Sequence, residues 1–280
     1  MLSLGSRGRF LKIKNMSFKG FQQTGVYGLT RKPTNLFGGV PSNTSNIGSL
    51  QYSNLPNLVG WYNNSDGVTT ATGVSAWVDR VSATSLAQST GASQPTYTQQ
   101  VQTLNGNSKI TFTAGQFLTA GDVFDIRTNT GYTIYMYGKL TASNSNRLFY
   151  GKSTNNGVLT TAGEYGIRGA GVGLISGQFF DNVSLKSTGT YAYDSSNYFL
   201  YSLVVDITNS LLSLYVNDKP VSIVAISNTI VDYNNGISFG IGNATTIALE
   251  FLEGIIYQTA LSQSEISQNL LALKNKFGQI

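Results

Sequence analysis

Chemistry in this chain would have to come from carboxylates, because the 280 residues contain neither histidine nor cysteine. That absence removes the commonest general base, the commonest transition-metal ligand, every thiolate nucleophile and any Ser-His or Cys-His pair. Two carboxylate pairs remain, Glu250 with Glu253 and Asp122 with Asp125, each three residues apart. Hydrolysis of a glycosidic bond needs two carboxyl groups about 5–9 Å apart across one cleft. On a regular strand, residues i and i+3 point to opposite faces, so neither pair is expected to do this work. Asp66, Asp79, Asp181, Asp194 and Asp232 stand in expected turns or at strand ends, with no recognised ligand spacing, and read as turn aspartates that cap backbone N–H groups. The glycine-rich run Gly166–Gly173 lacks both the dinucleotide fingerprint and a Gly-Lys-Ser/Thr ending. It reads as a flexible loop or a strand relieved by glycine. The chain is expected to bind or build rather than catalyse, with no cofactor.

Charge is placed unevenly. Arg7, Arg9, Lys12, Lys14, Lys19, Arg31 and Lys32 give residues 1–50 a charge of +7 with no acidic residue. Eleven basic and thirteen acidic residues remain beyond them, a net of −2. The first segment has no sustained period of 2 or 3.6, is rich in glycine, and spaces aromatics such as Phe18 and Phe21 among its cations. It reads as an extended arm that docks on something negative, with Arg7, Arg9, Lys12, Lys14, Phe18, Lys19, Phe21, Arg31 and Lys32 as its anchors. No apolar run follows the early basic residues as in a secretory signal, and no run is long enough for a membrane-spanning helix. A protein of this kind working outside a cell would leave by lysis or within a particle.

The elements that must position any site are strands. From about Leu55 short β-rich runs alternate with turns: Leu58–Tyr62, Val74–Val78, Lys109–Thr113, Tyr132–Leu140, Arg147–Gly151, Glu164–Ile167, Val172–Phe180, Tyr198–Asp206, Leu211–Asn217, Pro220–Ala225, Gly236–Gly242 and Leu249–Tyr257. Asn105-Gly106, Asn156-Gly157, Asn217-Asp218 and Asn235-Gly236 supply residues tolerant of positive φ for the hairpins. A dozen strands without intervening amphipathic helices predict an all-β antiparallel sandwich. One helix is expected at the end, opened by the capping box Ser262-Gln263-Ser264-Glu265 and striped by Ile266, Leu270, Leu273 and Phe277. Lys274 and Lys276 suit its negative end, and Gly278 can close it. Its stripe is expected on the sandwich edge or mouth. Trp61, Tyr62 and Trp77 read as core, whereas Tyr97, Tyr191, Tyr193, Tyr198 and Tyr233 fall in polar loops and are the candidates for contact with a glycan or partner.

Several of these segments carry a resemblance. Tyr201–Asp206 followed by Leu212–Lys219 resembles the central hairpin of laminin-G-like, concanavalin A-like domains, with Asp218 where glycine is usual. Gly236–Gly242 is similar to the family's glycine-flanked strand, and Phe251–Ile266 to its closing strand, Leu-Ser joint and terminal helix. Leu58–Tyr62, Val74–Asp79, Gln94–Thr96 and Gly106–Phe112 resemble the opening strands of phage-encoded and bacterial members. The ordered set covers roughly residues 55–278. The resemblance implies a jelly-roll domain at 55–280 behind an arm at 1–54, and it allows a Ca²⁺ ion between loops. Hydrolases of this kind carry a Glu-x-Asp-x-Glu run, which is absent here.

The expected function is that of a tailed-bacteriophage virion protein: a capsid decoration, a head fibre or a tail-associated adhesion protein. Its arm would meet other virion proteins, its body host-surface glycans, and it would be present in repeated copies; neither membrane nor nucleic acid is expected as a partner. Two alternatives stay open, a free carbohydrate-binding module or lectin, and a single-jelly-roll capsid protein whose arm neutralises nucleic acid.

Overall fold

The computed structural model describes residues 57–125, 131–143, 148–153, 159, 164–227, 236–240 and 247–279. The expected arm with all its anchoring residues, the 54/55 boundary, Asp232 and Tyr233 lie outside the described residues.

The chain runs through β1 (Leu58–Asn63), β2 (Val68–Thr70), β3 (Val74–Val78) and β4 (Ser85–Ala87), then β5 (Thr96–Val101), β6 (Asn107–Phe112) and β7 (Phe117–Asp122). There follow β8 (Tyr132–Ser143), β9 (Leu148–Lys152), β10 (Tyr165–Gly171), β11 (Leu174–Phe180), β12 (Leu185–Ser187) and β13 (Tyr191–Ala192). The last part holds β14 (Phe199–Asp206), β15 (Leu211–Val216), β16 (Lys219–Ala225), β17 (Gly236–Gly240), β18 (Ile247–Tyr257) and the helix α1 (Gln263–Phe277). One sheet has the order β16-β15-β14-β8-β18-β6-β5, with β1 also beside β18. The other runs β12-β11-β10-β9-β17-β7-β4-β3-β2, with β13 beside β11. Every neighbouring pair is antiparallel, for example Ser202↔Tyr135 and Ser202↔Tyr215 around β14. This is the all-β jelly-roll sandwich expected from the strand pattern, with one helix after the last strand. The short strands β2, β4, β12 and β13, the polar β5, and β7 lie outside the expected strands because few apolar residues alternate in them.

Two cores hold the body together. Between the sheets, Tyr62, Trp77, Phe239 and Phe251 meet at centroid distances of 5.0–5.8 Å, edge to face in every pair but the tilted Phe239–Phe251, the geometry that ring quadrupoles favour. The second core lies on the outer face of the first sheet. There Trp61, Tyr135, Tyr137, Leu200, Val204, Leu252, Ile255 and Tyr257 are covered by Ile266, Leu270, Leu273 and Phe277 of α1. The helix therefore sits on a sheet face, not on the edge or mouth expected. The cause is that β8 and β18 are apolar on both faces and need an outer cover.

Helix α1 begins as its sequence requires. The Ser262 side chain accepts from Glu265 N, and the Glu265 carboxylate accepts from Ser262 N at 2.7 Å. At the other end Gly278 takes φ 65°. At the β15–β16 turn the left-handed residue is Asn217 (φ 58°), not Asp218. Asn217 exchanges bonds with Leu200, donating from N to Leu200 O (2.6 Å) and accepting at Oδ1 from Leu200 N (3.1 Å). Those bonds place the special conformation one residue earlier than the family pattern suggests. Of the two readings for Gly166–Gly173, the strand holds as far as Gly171. A Cβ on Gly166 would stand 2.8 Å from the backbone oxygen of Tyr150 and 2.3 Å from Leu148 Cδ2, so a side chain there would push the neighbouring strand away.

Candidate functional site

One cleft lies where β7 ends and the chain turns through Val123, Phe124 and Asp125. Phe124 has φ 58°, a conformation that costs a bulky residue about 1–3 kcal/mol and needs outside support. Three groups supply it. The Tyr165 hydroxyl donates to Phe124 O (2.8 Å), Gln258 Nε2 donates to Asp125 O (3.1 Å), and the Lys152 ammonium pairs with the Asp125 carboxylate. Burial holds the phenols of Tyr165 and Tyr132 protonated, their pKa pushed well above the ordinary value. The Phe124 ring rests edge-on against Tyr62 at 6.3 Å and beside Gly60, where a Cβ would come within 2.9 Å of it.

Around the half-buried ring opens a cleft of about 290 Å³, lined also by Val59, Ser82, Thr84, Val123, Asp125 and Gln258. Asp79 sets its far wall by accepting from Trp61 N (2.5 Å), Val81 N (3.0 Å) and Ser82 N (2.6 Å). An aromatic floor with a rim of hydroxyls and an amide matches a ligand that has one apolar face and a hydroxylated edge. A sugar ring has that form.

The carboxylate pairs differ from their expected geometry. Asp122 and Asp125 both reach Lys152, Asp122 at 2.7 Å, so they converge; Asp125 lies past the end of β7, where strand alternation no longer applies. Glu250 and Glu253 share the outer face of the first sheet, because the register of β18 against β8 shifts between Phe251 and Glu253 and alternation fails at that bulge. Neither pair is arranged as an acid and a nucleophile. Glu253 is buried against the Trp61 indole N–H and Lys276 (2.8 Å). Glu250 is held by Lys109 (2.8 Å), Lys139 (3.3 Å) and the Tyr198 hydroxyl.

The candidate tyrosines do not gather at one mouth. Tyr97 lies in strand β5 rather than a loop, donates to Asn64 O (2.8 Å), and lines a polar cleft of about 350 Å³ with Thr70, Thr72, Thr96 and Gln99. Tyr198 lines a third cleft of about 310 Å³ at the end of α1. Tyr191, in strand β13, and Tyr193 pack half-buried against the sandwich core. The Phe124 cleft was missed because nothing in Val123-Phe124-Asp125 signals a positive φ; a phenylalanine beside an aspartate at a strand end is the whole sequence trace.

The aspartates among the described residues do not fit the calcium ion that the resemblance allows. Asp79 and Asp181 are occupied by backbone N–H groups, Asp194 caps its own turn and Asp66 pairs with Arg80 at 3.5 Å. No three acidic groups converge among the described residues.

Two of these carboxylates make folding pH-dependent. Burial opposes the charge of Asp181, but N–H donors from Ser227, Ser184 and Val183, with Lys186, bring its pKa below the ordinary value. Burial likewise opposes Glu250, and Lys109, Tyr198 and Lys139 outweigh it. A lowered folded pKa means that the unfolded chain binds protons first. The stabilisation is complete above the unfolded values of about 3.9 and 4.3 and is lost as pH falls through the lowered folded values. Urea midpoints should therefore drop between pH 6 and pH 3, and Asp181→Asn should flatten that slope.

No protein-family model matches the chain, and no curated protein matches it. Solved structures do. The binding domain of Paraclostridial Mosquitocidal Protein 1 aligns with a TM-score of 0.57 and 15% identity over 79% of this chain and 52% of its own. Botulinum neurotoxin type C, in a structure concerned with its interaction with two ganglioside molecules, aligns at 0.52 and 13% over 82% and 52%. The binding domain of botulinum neurotoxin DC, in complex with SialylT, aligns at 0.52 and 12% over 78% and 52%. The chain spans about half the length of each, and at such identities the likeness is one of fold, a β-sandwich.

Proposed function

We propose that the sandwich is a non-catalytic recognition domain that binds a host-surface glycan through the Phe124 cleft, carried on a tailed-bacteriophage particle by the basic arm. The observation that carries the glycan reading is the Phe124 site itself: a strained aromatic floor, fixed by three independent contacts and rimmed by Ser82, Thr84 and Gln258. Strain retained at a cleft is a signature of a site shaped for a ligand. Binding domains of toxins share the fold, one of them complexed with SialylT and another concerned with gangliosides, and this supports recognition over catalysis.

The virion reading rests on the acid-free +7 segment beside a body of net charge −2, and on the resemblance of the body to phage-encoded laminin-G-like domains. Positive charge gathered at one end of a neutral body suits docking on an acidic particle surface.

A glycan array probed with the full-length protein should give saturable binding that Phe124→Ala weakens by about tenfold or more, about 1.4 kcal/mol. Equal binding by wild type and Phe124→Ala would remove the cleft from the account. Deletion of residues 1–54 should leave glycan binding intact while abolishing incorporation into particles, and normal incorporation would refute the anchor.

A further inference from the structure

We infer that the cleft at the C-terminal end of α1 selects a carboxylate-bearing sugar residue. This rests on the reading of the body as a glycan-binding domain, but concerns a different cleft from that of Phe124. The lining groups include Asn197, Tyr198, Asn217, Lys274 and Gln279, and their hydrogen bonding leaves a cation and an amide donor beside the amide oxygens of Asn197 and Gln279. Asn217 spends its Oδ1 on Leu200 N, so the opposite end of the same amide, Nδ2, is presented as a donor. Neither that Nδ2 nor the Lys274 ammonium has a partner among the described residues. Gln279 does the reverse. Its Nε2 donates to Thr103 O (3.0 Å) and Phe277 O (3.3 Å), leaving Oε1 to accept from a sugar hydroxyl.

The wall is an aromatic ring that cannot swing. The Tyr198 hydroxyl is bound to Glu250, which is itself clamped by Lys109 and Lys139, and Lys139 Nζ stands 5.0 Å from the Tyr198 ring centroid. With its hydroxyl engaged, Tyr198 offers only a flat face for stacking, and the two lysines leave the Glu250 cluster with a positive surplus.

The charges that could repel an anion are accounted for. The exposed carbonyls at the end of α1 would disfavour a carboxylate, but Asn107 Nδ2 donates to Lys276 O (2.8 Å), Asn105 Nδ2 to Asn275 O (3.3 Å), and Gln279 N to Lys274 O (3.0 Å). The neighbouring acids are engaged. Asp194 caps its own turn through Ser196 N (2.7 Å) and holds Asn197 Nδ2 (2.5 Å), and Asp218 lies toward Ser267 (3.5 Å). A free cation, a free amide donor, a hydroxyl acceptor and a fixed ring together describe a site for a uronic or sialic type of residue.

The test titrates full-length protein with uronate-containing and sialylated oligosaccharides, each paired with its carboxyl-reduced form. Wild type should prefer the carboxylated member by about tenfold, about 1.4 kcal/mol, and lose the preference as salt rises. Lys274→Gln should abolish the preference while leaving the reduced form bound as before, and Lys274→Arg should keep it. Equal binding of both members by wild type, or a preference that survives Lys274→Gln, overturns the inference. Binding that depends on Phe124 but ignores the carboxylate overturns this inference alone. A preference for acidic peptides over every oligosaccharide, or no oligosaccharide binding at all, overturns it together with the glycan reading.

Discussion

Lys276→Met is expected to lower the unfolding free energy by about 3–5 kcal/mol, the usual loss when one partner of a buried ion pair is removed. The Lys276 and Glu253 side chains are 1% and 0% exposed, with Nζ and Oε2 at 2.8 Å. Lys276 also donates to Asn63 Oδ1 (3.2 Å), and the Trp61 indole N–H satisfies the other Glu253 oxygen. These bonds tie α1 to β18 and β1 from beneath. Methionine fills the volume but strands the Glu253 charge in an apolar layer of Trp61, Leu252 and Phe277. The second substitution Glu253→Gln keeps an acceptor for the indole and removes the charge, so Lys276→Met/Glu253→Gln should recover most of the loss. Guanidinium unfolding of both proteins, analysed by linear extrapolation, provides the check. A loss below about 1 kcal/mol for the single variant would show that water reaches Glu253, and would contradict its burial.

The next largest effect is expected at Trp77. Its ring is fully buried and lies 5.4, 5.6 and 5.8 Å from Tyr62, Phe251 and Phe239, while its Nε1 donates to Asn63 O (3.0 Å). Trp77→Ala removes the ring around which the inter-sheet cluster is arranged and opens a cavity that the rigid sheets cannot close. Such truncations cost about 3–5 kcal/mol, which for a body of this size lowers the melting midpoint by roughly 6–20 °C. Trp77→Phe keeps most of the edge-to-face packing and gives up the hydrogen bond, so its midpoint should lie between the two. Far-UV circular dichroism on heating measures all three. Equal midpoints for Trp77→Ala and Trp77→Phe would mean that the indole N–H, not the packing, carries the effect.

The sequence was most legible where local chemistry and tertiary structure demand the same thing. Val74–Val78 is rich in β-branched and aromatic residues, is bounded by turn residues, and is a strand at those residues. The Ser262–Glu265 box opens α1 because capping is settled within four residues. Legibility failed where a distant partner decides. The apolar run Ile134-Tyr135-Met136-Tyr137 belongs to a strand buried on both faces, yet nothing local says whether a helix or a second sheet covers the outer one. Glu253 joins Glu250 on one face only because β18 bulges against β8. Phe124 owes its positive φ to Tyr165, Lys152 and Gln258, all remote in sequence. Tyr97 and Tyr198, both polar-flanked, line separate clefts because β5, which holds Tyr97, and β14, which Tyr198 directly precedes, occupy different places in the sheet order.

The place of β18 has a consequence for how the molecule comes to be folded. It is the last strand of the described chain, yet it lies between β8 on one side and β6 and β1 on the other. During synthesis, β8 and β6 must wait on the ribosome with open edges until residues 247–257 emerge. Pairings so distant in sequence make folding slow and leave nascent chains prone to associate with one another. Assembly of the body is therefore a late event that closes around a single strand, and a ribosome stalled before that strand would release a chain whose first sheet is in three pieces, β16-β15-β14-β8, β6-β5 and β1 by itself.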